Sequence, residues 1–404
     1  MRLKRFFHSV ITVILFLAIF NSCGTTKEVS ETKPENPSVT SEKPSKNKKN
    51  APVAELSLLF AGDVMAHTPN FKNTAFDRIW RDITPLVSSA DLAFANIEAP
   101  VANGIPWNTY PQFNMHQEYV EAAIKAGFNV FSLTNNHTND QYLDGIKQTK
   151  KYFDNRKGIW ACGLKEKSGG PLTYKIIEKN GFKVLFVSIT ELLNRNDFAS
   201  YIDYYPSNEK KRAQLIEELK KLQEDSKADL FVLSVHTDEP EYVIKVTESH
   251  KKFFKKIIEE CKADIIWANH PHVVKIFEET AASTHYTEGL GQKNRKAFIM
   301  YANGNTISAQ RTKPQFQAPD TPRDYTGEGL LLKMKATKMS DGSVILSNYE
   351  PHLITTYITP AWQFVIKLLD DDFIATLDRA ELTGWAKYLT ERKKLMEKVL
   401  GINE

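Results

Sequence analysis

From Glu55 onward, short apolar runs alternate with segments of helical periodicity. Residues 56–61, 92–95, 130–133, 230–235, 265–268 and 297–302 have the length and β-branched or aromatic character of buried strands. Phe76, Ile79, Trp80, Ile83, Leu86 and Val87 recur at helical spacing, which predicts a helix over 76–87. Helices are likewise predicted over 118–125, 145–155, 208–221 and 248–261, with Gly127 as a stop for the first. Asn180-Gly181 between 173–178 and 183–189, and Asp341-Gly342 between 329–336 and 343–349, are hairpin signals. Residues 362–399 read as terminal helices, and 289–296 and 313–327 as long loops. The pattern predicts a mixed α/β body in which hairpins complete a sheet and helices lie outside.

Polar residues cluster directly after these apolar runs. Asp63 follows the first, Asn96 and Glu98 the second, and Asn135, Asn136 and His137 the third. His236 follows the fourth, and His270 and His272 the fifth. Open sheets bind ligands just beyond their strand carboxyl ends, so these segments are candidates for one shared crevice. Gly62 would let the chain turn tightly off the strand before Asp63; the bland alternative is that Asp63 caps a helix. His67, four residues on, could face the same side. Asn96 and Glu98 share one face of an extended chain. The stretch 134–140, ending in Asp140, is costly to bury unless paired or bound to metal. Pro271 favours an extended backbone that turns His270 and His272 toward a common ion. Oxygen and nitrogen donors without sulfur suit one or two divalent ions (manganese, zinc or iron) rather than a structural zinc site. Such a centre is fitted to hydrolysis, with His137 as the candidate proton donor.

Composition narrows the class. The chain has 404 residues, 25% of them charged, and a formal net charge of +4. No basic and aromatic residues interleave, so nucleic acid is not an expected partner. Phosphate-loop, dinucleotide and nucleophile-elbow motifs are absent from the sequence. Arg2, Lys4 and Arg5 precede an apolar run over 10–20 and then Cys23. The run is shorter than the roughly 18 residues of a membrane span and matches a signal core. Cys23 after a small residue resembles a lipobox end; a plain cleaved signal is the alternative. Residues 25–52 are polar and Lys-, Glu-, Ser- and Pro-rich, as in a disordered tether. The expected organisation is a signal over 1–23, a linker over 24–52, a domain over 53–360 and a helical extension over 361–404. The expected location is the cell envelope, anchored in the membrane through lipidated Cys23. Cys162 and Cys261 form neither a disulfide framework nor a metal pattern and are expected to be half-buried small hydrophobes.

Gly62-Asp63-Val64-Met65, Asn96-Ile97-Glu98, Asn135-Asn136-His137, His236 with Glu241-Tyr242, His270-Pro271-His272 and Gly304-Asn305 occur in an order that resembles the CapA-type capsule-synthesis proteins. These are bacterial poly-γ-glutamate biosynthesis proteins related to calcineurin-like metallophosphatases. The resemblance implies a two-sheet sandwich flanked by helices. It implies metal ligation by Asp63, Glu98, Asn136, His236, His270 and His272, with His137 as catalytic acid. His67, Asn96, Asn135, Asp140, Glu241 and Asn305 are further expected contacts. Implied partners are an anionic envelope polymer or its precursor and other capsule-export proteins. The phosphatase Asp-x-His motif is absent, and Glu98 stands where those enzymes carry Asp. Three readings stay open: a metal-dependent hydrolase; a non-catalytic polymer-binding or assembly protein, with Trp107, Asn108, Tyr110 and Gln112 lining a groove; and an envelope phosphoesterase or nucleotidase.

Overall fold

The first strand is buried on both faces, and that decides the architecture. In the computed structural model, residues 50–72, 75–282 and 295–402 are described. The expected signal, nearly all of the linker, and most of the 289–296 loop lie outside the described residues. Strand β1 (Pro52–Val64) sends Leu56, Leu58 and Phe60 into one apolar cluster, and Leu59, Ala61 and Val64 into another. A strand with two buried faces belongs inside a layered fold.

The strands that follow are β2 (Leu92–Ile97), β3 (Val130–Ser132), β4 (Trp160–Cys162), β5 (Lys175–Lys179), β6 (Phe182–Thr190), β7 (Leu230–His236) and β8 (Ile265–Asn269). After them come β9 (Phe277–Ala282), β10 (Arg295–Met300), β11 (Asn305–Ile307), β12 (Glu328–Met339), β13 (Val344–Ile358) and β14 (Phe364–Leu368). One sheet has the order β14-β13-β12-β1-β2-β3-β4, with β11 also on β1; the other is β5-β6-β7-β8-β10-β9. Their inner faces meet through aromatic rings: Phe94 lies 5.6 Å from Phe186 and 6.0 Å from Trp267. The helices are α1 (Thr68–Lys72), α2 (Phe76–Trp80), α3 (Thr84–Val87), α4 (Gln117–Lys125), α5 (Tyr142–Asp154), α6 (Glu209–Ser226), α7 (Glu248–Cys261), α8 (Asp371–Arg379) and α9 (Thr383–Leu400). Trp80, Tyr119 and Phe153 cover the outer face of the first sheet; Leu215, Leu219, Phe254 and Ile257 cover the second. The result is a two-sheet sandwich between helices, the α/β class expected from the sequence. Leu377, Tyr388, Leu389 and Met396 of α8 and α9 join the inter-sheet core beside Tyr357 and Val365.

Three local expectations need correction. The helix over 76–87 is split into α2 and α3, because Pro85 has no N–H to continue the ladder. Residues 364–368 form strand β14 rather than helix; Phe364, Val365 and Ile366 are buried and pair with the end of β13. The loop read over 313–327 ends in a 3₁₀ turn, Asp324–Gly327. Cys162 and Cys261 are buried free thiols. No helix among the described residues is long and apolar enough to cross a membrane.

The parallel strands matter most for function. Asp63 pairs with Asn96, Asn96 with Ser132, and His236 with Asn269. The polar tails of β1, β2, β3, β7 and β8 therefore leave both sheets at one edge.

Candidate metal centre

Gly62 is required at this edge, though not for a turn. A Cβ there would lie 1.9 Å from Gly304 O, so only glycine lets β1 and the 303–305 segment touch. Gly62 N donates to Thr306 Oγ1 (2.8 Å) and Asp63 N to Gly304 O (3.0 Å). The strand runs on to Val64, so Asp63 is a strand residue and not a helix cap.

Asn96 then sorts the carboxylates. Its Nδ2 donates to Asp63 Oδ1 (2.8 Å) and Glu98 Oε2 (3.3 Å). Asn135 holds Asn96 in turn, with Nδ2 donating to Asn96 Oδ1 (3.4 Å) and Ile97 O (2.7 Å). Each acid keeps one oxygen for the crevice. Asp63 Oδ2 lies 3.3 Å from His272 Nδ1. Glu98 Oε1 lies 3.7 Å from His272 Nε2 and 3.9 Å from His236 Nε2. Those two spacings are too long for hydrogen bonds and suit donors that share an ion. Asn136 Oδ1 is 2.9 Å from His236 Nε2, and Asn305 Oδ1 is 3.1 Å from His272 Nδ1.

Two three-residue groups result, Glu98 with His236 and His270, and Asp63 with Glu98 and His272. Glu98 belongs to both, as a ligand bridging two ions would. All six candidate ligands, Asn136 included, are buried. The fit to a cation rests on what the protein leaves unpaired. Glu98 Oε1 and His270 Nδ1 are buried with no hydrogen-bond partner. Burial raises the Glu98 carboxyl well above its usual range, and Asp63, Glu241 and Asp140 add to this. Burial and neighbouring imidazoles push His236 and His270 well below theirs. Neutral imidazoles around crowded carboxylates are the donor set a divalent ion takes.

His270 and His272 do not sit on an extended backbone. Strand β8 ends at Asn269, and the two residues have φ of 105° and 59°. Left-handed φ at two non-glycine residues stores strain that the surroundings must hold, a pattern typical of working sites. The twist sends the rings to different groups: His270 joins His236, and His272 joins Asp63.

His137 stands beside the ligands. Its Nδ1 meets Asp140 Oδ2 at 2.6 Å, and Phe113 packs edge-on against the ring at 4.7 Å. Asp140 Oδ2 also accepts from Phe113 N at 2.7 Å. Burial raises the Asp140 carboxyl, against the lowering effect of His137. His137 opens onto a cleft of about 630 Å³, lined also by His67, Tyr110, Glu241, Tyr242, His272, Lys313 and Arg323. His67 belongs to neither group; its Nδ1 accepts from Ala309 N (3.2 Å), and burial with nearby His272 and His137 holds it at about 3. Glu241 reaches the cleft wall rather than the ligand groups. Of the aromatic groove residues, Tyr110 lines the cleft, while Trp107 stacks on Phe71 at 4.6 Å. Asn194, Lys313 and Arg323 also belong to the site. Asn194 Oδ1 accepts from Asn136 Nδ2 (3.3 Å), and its Nδ2 lies 3.3 Å from His137 Nδ1. These residues occupy segments without periodicity, where no sequence signal marks them.

A family model described as bacterial capsule synthesis protein (PGA_cap) matches residues 57–310. The capsule biosynthesis protein CapA of Bacillus anthracis is 28% identical over 273 residues, covering 64% of this chain and 62% of that protein. The match thus spans less than two thirds of the relative's length. Among solved structures, a hypothetical protein from Thermus thermophilus aligns over 74% of this chain and 98% of its own, at 17% identity and TM-score 0.43. The NAD nucleotidase of Haemophilus influenzae aligns over 84% of this chain and 68% of its own, at 12% identity and TM-score 0.43. Likeness at that level does not set the fold, which rests on the sheets themselves.

Proposed function

The chain belongs to the bacterial capsule synthesis protein family, and from that premise we propose an exported lipoprotein, anchored through Cys23, that hydrolyses an anionic envelope polymer or its precursor at a divalent-metal centre. The observation that carries this reading is Glu98 Oε1, buried, unpaired and shared by the two ligand groups. Asp63 and His272 would complete one ion's set, and His236, His270 and Asn136 the other's. Bound there, the ions would polarise the scissile carbonyl or phosphoryl oxygen and neutralise charge as it develops.

The protein's own residues do the rest. Asn96 and Asn135 fix the carboxylate oxygens before anything binds, which removes a reorganisation cost. Asp140 holds His137 through Nδ1, leaving Nε2 to pass a proton to a leaving group in the cleft. Phe113 shields that pair from water on one side. The lowered His67 stays a neutral acceptor and so does not repel cations from the cradle.

The test is His137→Ala in the full-length protein with its metal content measured alongside. Hydrolysis should fall by about 10²–10⁴-fold while bound metal is unchanged. Full polymer production by this variant, in a strain lacking the native protein, would replace the hydrolase with an assembly role. Anchoring is tested separately: fatty-acid labelling should disappear in Cys23→Ala.

A further inference from the structure

The segments after β7 and before β12 meet over the mouth of the cradle. Tyr242 has φ of 63°, its N–H donates to Pro271 O (2.9 Å), and its ring lies 6.2 Å from that of His272. Arg323 reaches it from the other segment. The guanidinium carbon sits 4.6 Å from the Tyr242 ring centre, and Nη1 donates to Tyr242 Oη at 3.3 Å. The charge of Arg323 is felt at His67 across the cleft. Lys313 lines the same wall. Among the described residues, neither Arg323 nor Lys313 is paired with a carboxylate. A guanidinium over an aromatic ring, with one N–H given to Tyr242 Oη and its other donors unspent among the described residues, is a receptor for a planar or tetrahedral oxyanion.

The segment carrying Arg323 is fixed from behind. Asp324 accepts from Tyr388 Oη (2.5 Å), Thr321 Oγ1 (2.5 Å) and Gln315 N (3.0 Å). Buried Glu328 takes Arg392 Nε (2.9 Å) and Nη2 (2.6 Å), and pairs with buried Arg311. Arg392 Nη1 donates to Pro319 O at 2.6 Å. Gly327 has to lack a side chain, since a Cβ would lie 1.8 Å from the Arg311 guanidinium carbon. Helix α9 thus holds a wall of the cleft. Arg323 and the residues that fix its segment from behind all lie after residue 310, where the family match ends.

We infer that Arg323, laid on Tyr242, is a specificity-determining residue that binds a phosphate or carboxylate group of the substrate beside the metal cradle. The inference deepens the hydrolase reading and rests on it for the substrate, while its test does not need turnover. Inorganic phosphate and glutarate would be titrated separately into the full-length protein, both metal-free and manganese-loaded, with metal content recorded. Arg323→Gln should weaken binding about tenfold or more, with Arg323→Lys intermediate and metal content unchanged. Loss confined to phosphate would identify a phosphoryl substrate, and loss confined to glutarate a carboxylate one. Unchanged affinity for both anions, with and without metal, would overturn the proposal. A wild-type protein that takes up no metal would sink the metal reading alone, because the metal-free titration still decides the role of Arg323. Arg323 is exposed, so the variant should melt like the wild type; Tyr242→Leu, expected to weaken the same anions, removes the platform independently.

Discussion

Glu98, His236 and His270 lie close enough to hold an ion, and so do Glu191, Asp238 and His250 on the far side of β7. The two groups share chemistry and differ in what completes them. In the second, His250 Nε2 meets Glu191 Oε2 at 2.6 Å and its Nδ1 meets Glu239 Oε1 at 2.8 Å. Arg212 donates to Glu191 Oε1 (2.9 and 2.7 Å), and Lys275 to Glu239 Oε2 (2.5 Å). Burial opposes charge on His250, but the bonds to Glu191 and Glu239 outweigh it and raise the ring to about 9. Burial likewise opposes the Glu239 carboxylate, yet His250, Lys275 and Thr247 hold it well below the usual range. This cluster carries its own cations. The cradle does not: His236 and His270 are driven neutral, Glu98 is driven up, and polar atoms stay unpaired. Proximity of His and carboxylate is therefore a poor guide to a metal site; what separates the two is whether every buried charge already has a partner.

The difference can be broken from either side. The largest effect is expected from His270→Ala with His272→Ala, which should abolish bound metal. The double variant should also lose the metal's stabilisation, about 4 kcal/mol at a thousandfold excess over Kd, read as a melting shift on adding manganese. His250→Ala should leave metal content alone and cost roughly 3 kcal/mol in denaturant unfolding, because it strands buried carboxylates.

The pH dependence sharpens the contrast. His250 is raised from 6.5 to about 9 in the folded protein. Its contribution is fully present below pH 6.5 and is lost as pH rises through about 9, a change of at most about 3 kcal/mol. Unfolding curves from pH 6 to 10 should show that loss in the wild type and not in His250→Ala. The smallest effect belongs to Thr247→Val. Thr247 Oγ1 donates to Glu239 Oε1 (2.5 Å) and accepts from His250 N (3.3 Å) as the α7 cap, so about 1 kcal/mol is expected.

The cradle was legible in the sequence because its ligands follow buried parallel strands, and strand ends on one edge converge whatever the loops do. The approach of β1 to Gly304, and the left-handed turns at His270 and His272, were not. Gly62 and Pro271 each allow several conformations, and only the neighbouring chain selects one. Strand β14 has no sequence mark that separates it from a helix, because a short apolar run has no period of its own. The His250 cluster escaped notice since Glu191 and Glu239 lie in polar loops, and His250 sits in the first turn of an otherwise ordinary amphipathic helix. Arg323 and Lys313 lie in an aperiodic segment whose course is set by Glu328, Arg311 and Arg392, long-range pairings that spacing does not encode.

The cradle needs an added cation, and the His250 cluster does not. The direct measurement is elemental analysis of the purified full-length protein beside Glu98→Gln and Glu191→Gln, each after exposure to manganese, zinc and iron. Divalent metal is expected in the wild type, retained in Glu191→Gln and lost in Glu98→Gln. Metal-free wild type, or metal retained in Glu98→Gln and lost in Glu191→Gln, would contradict it.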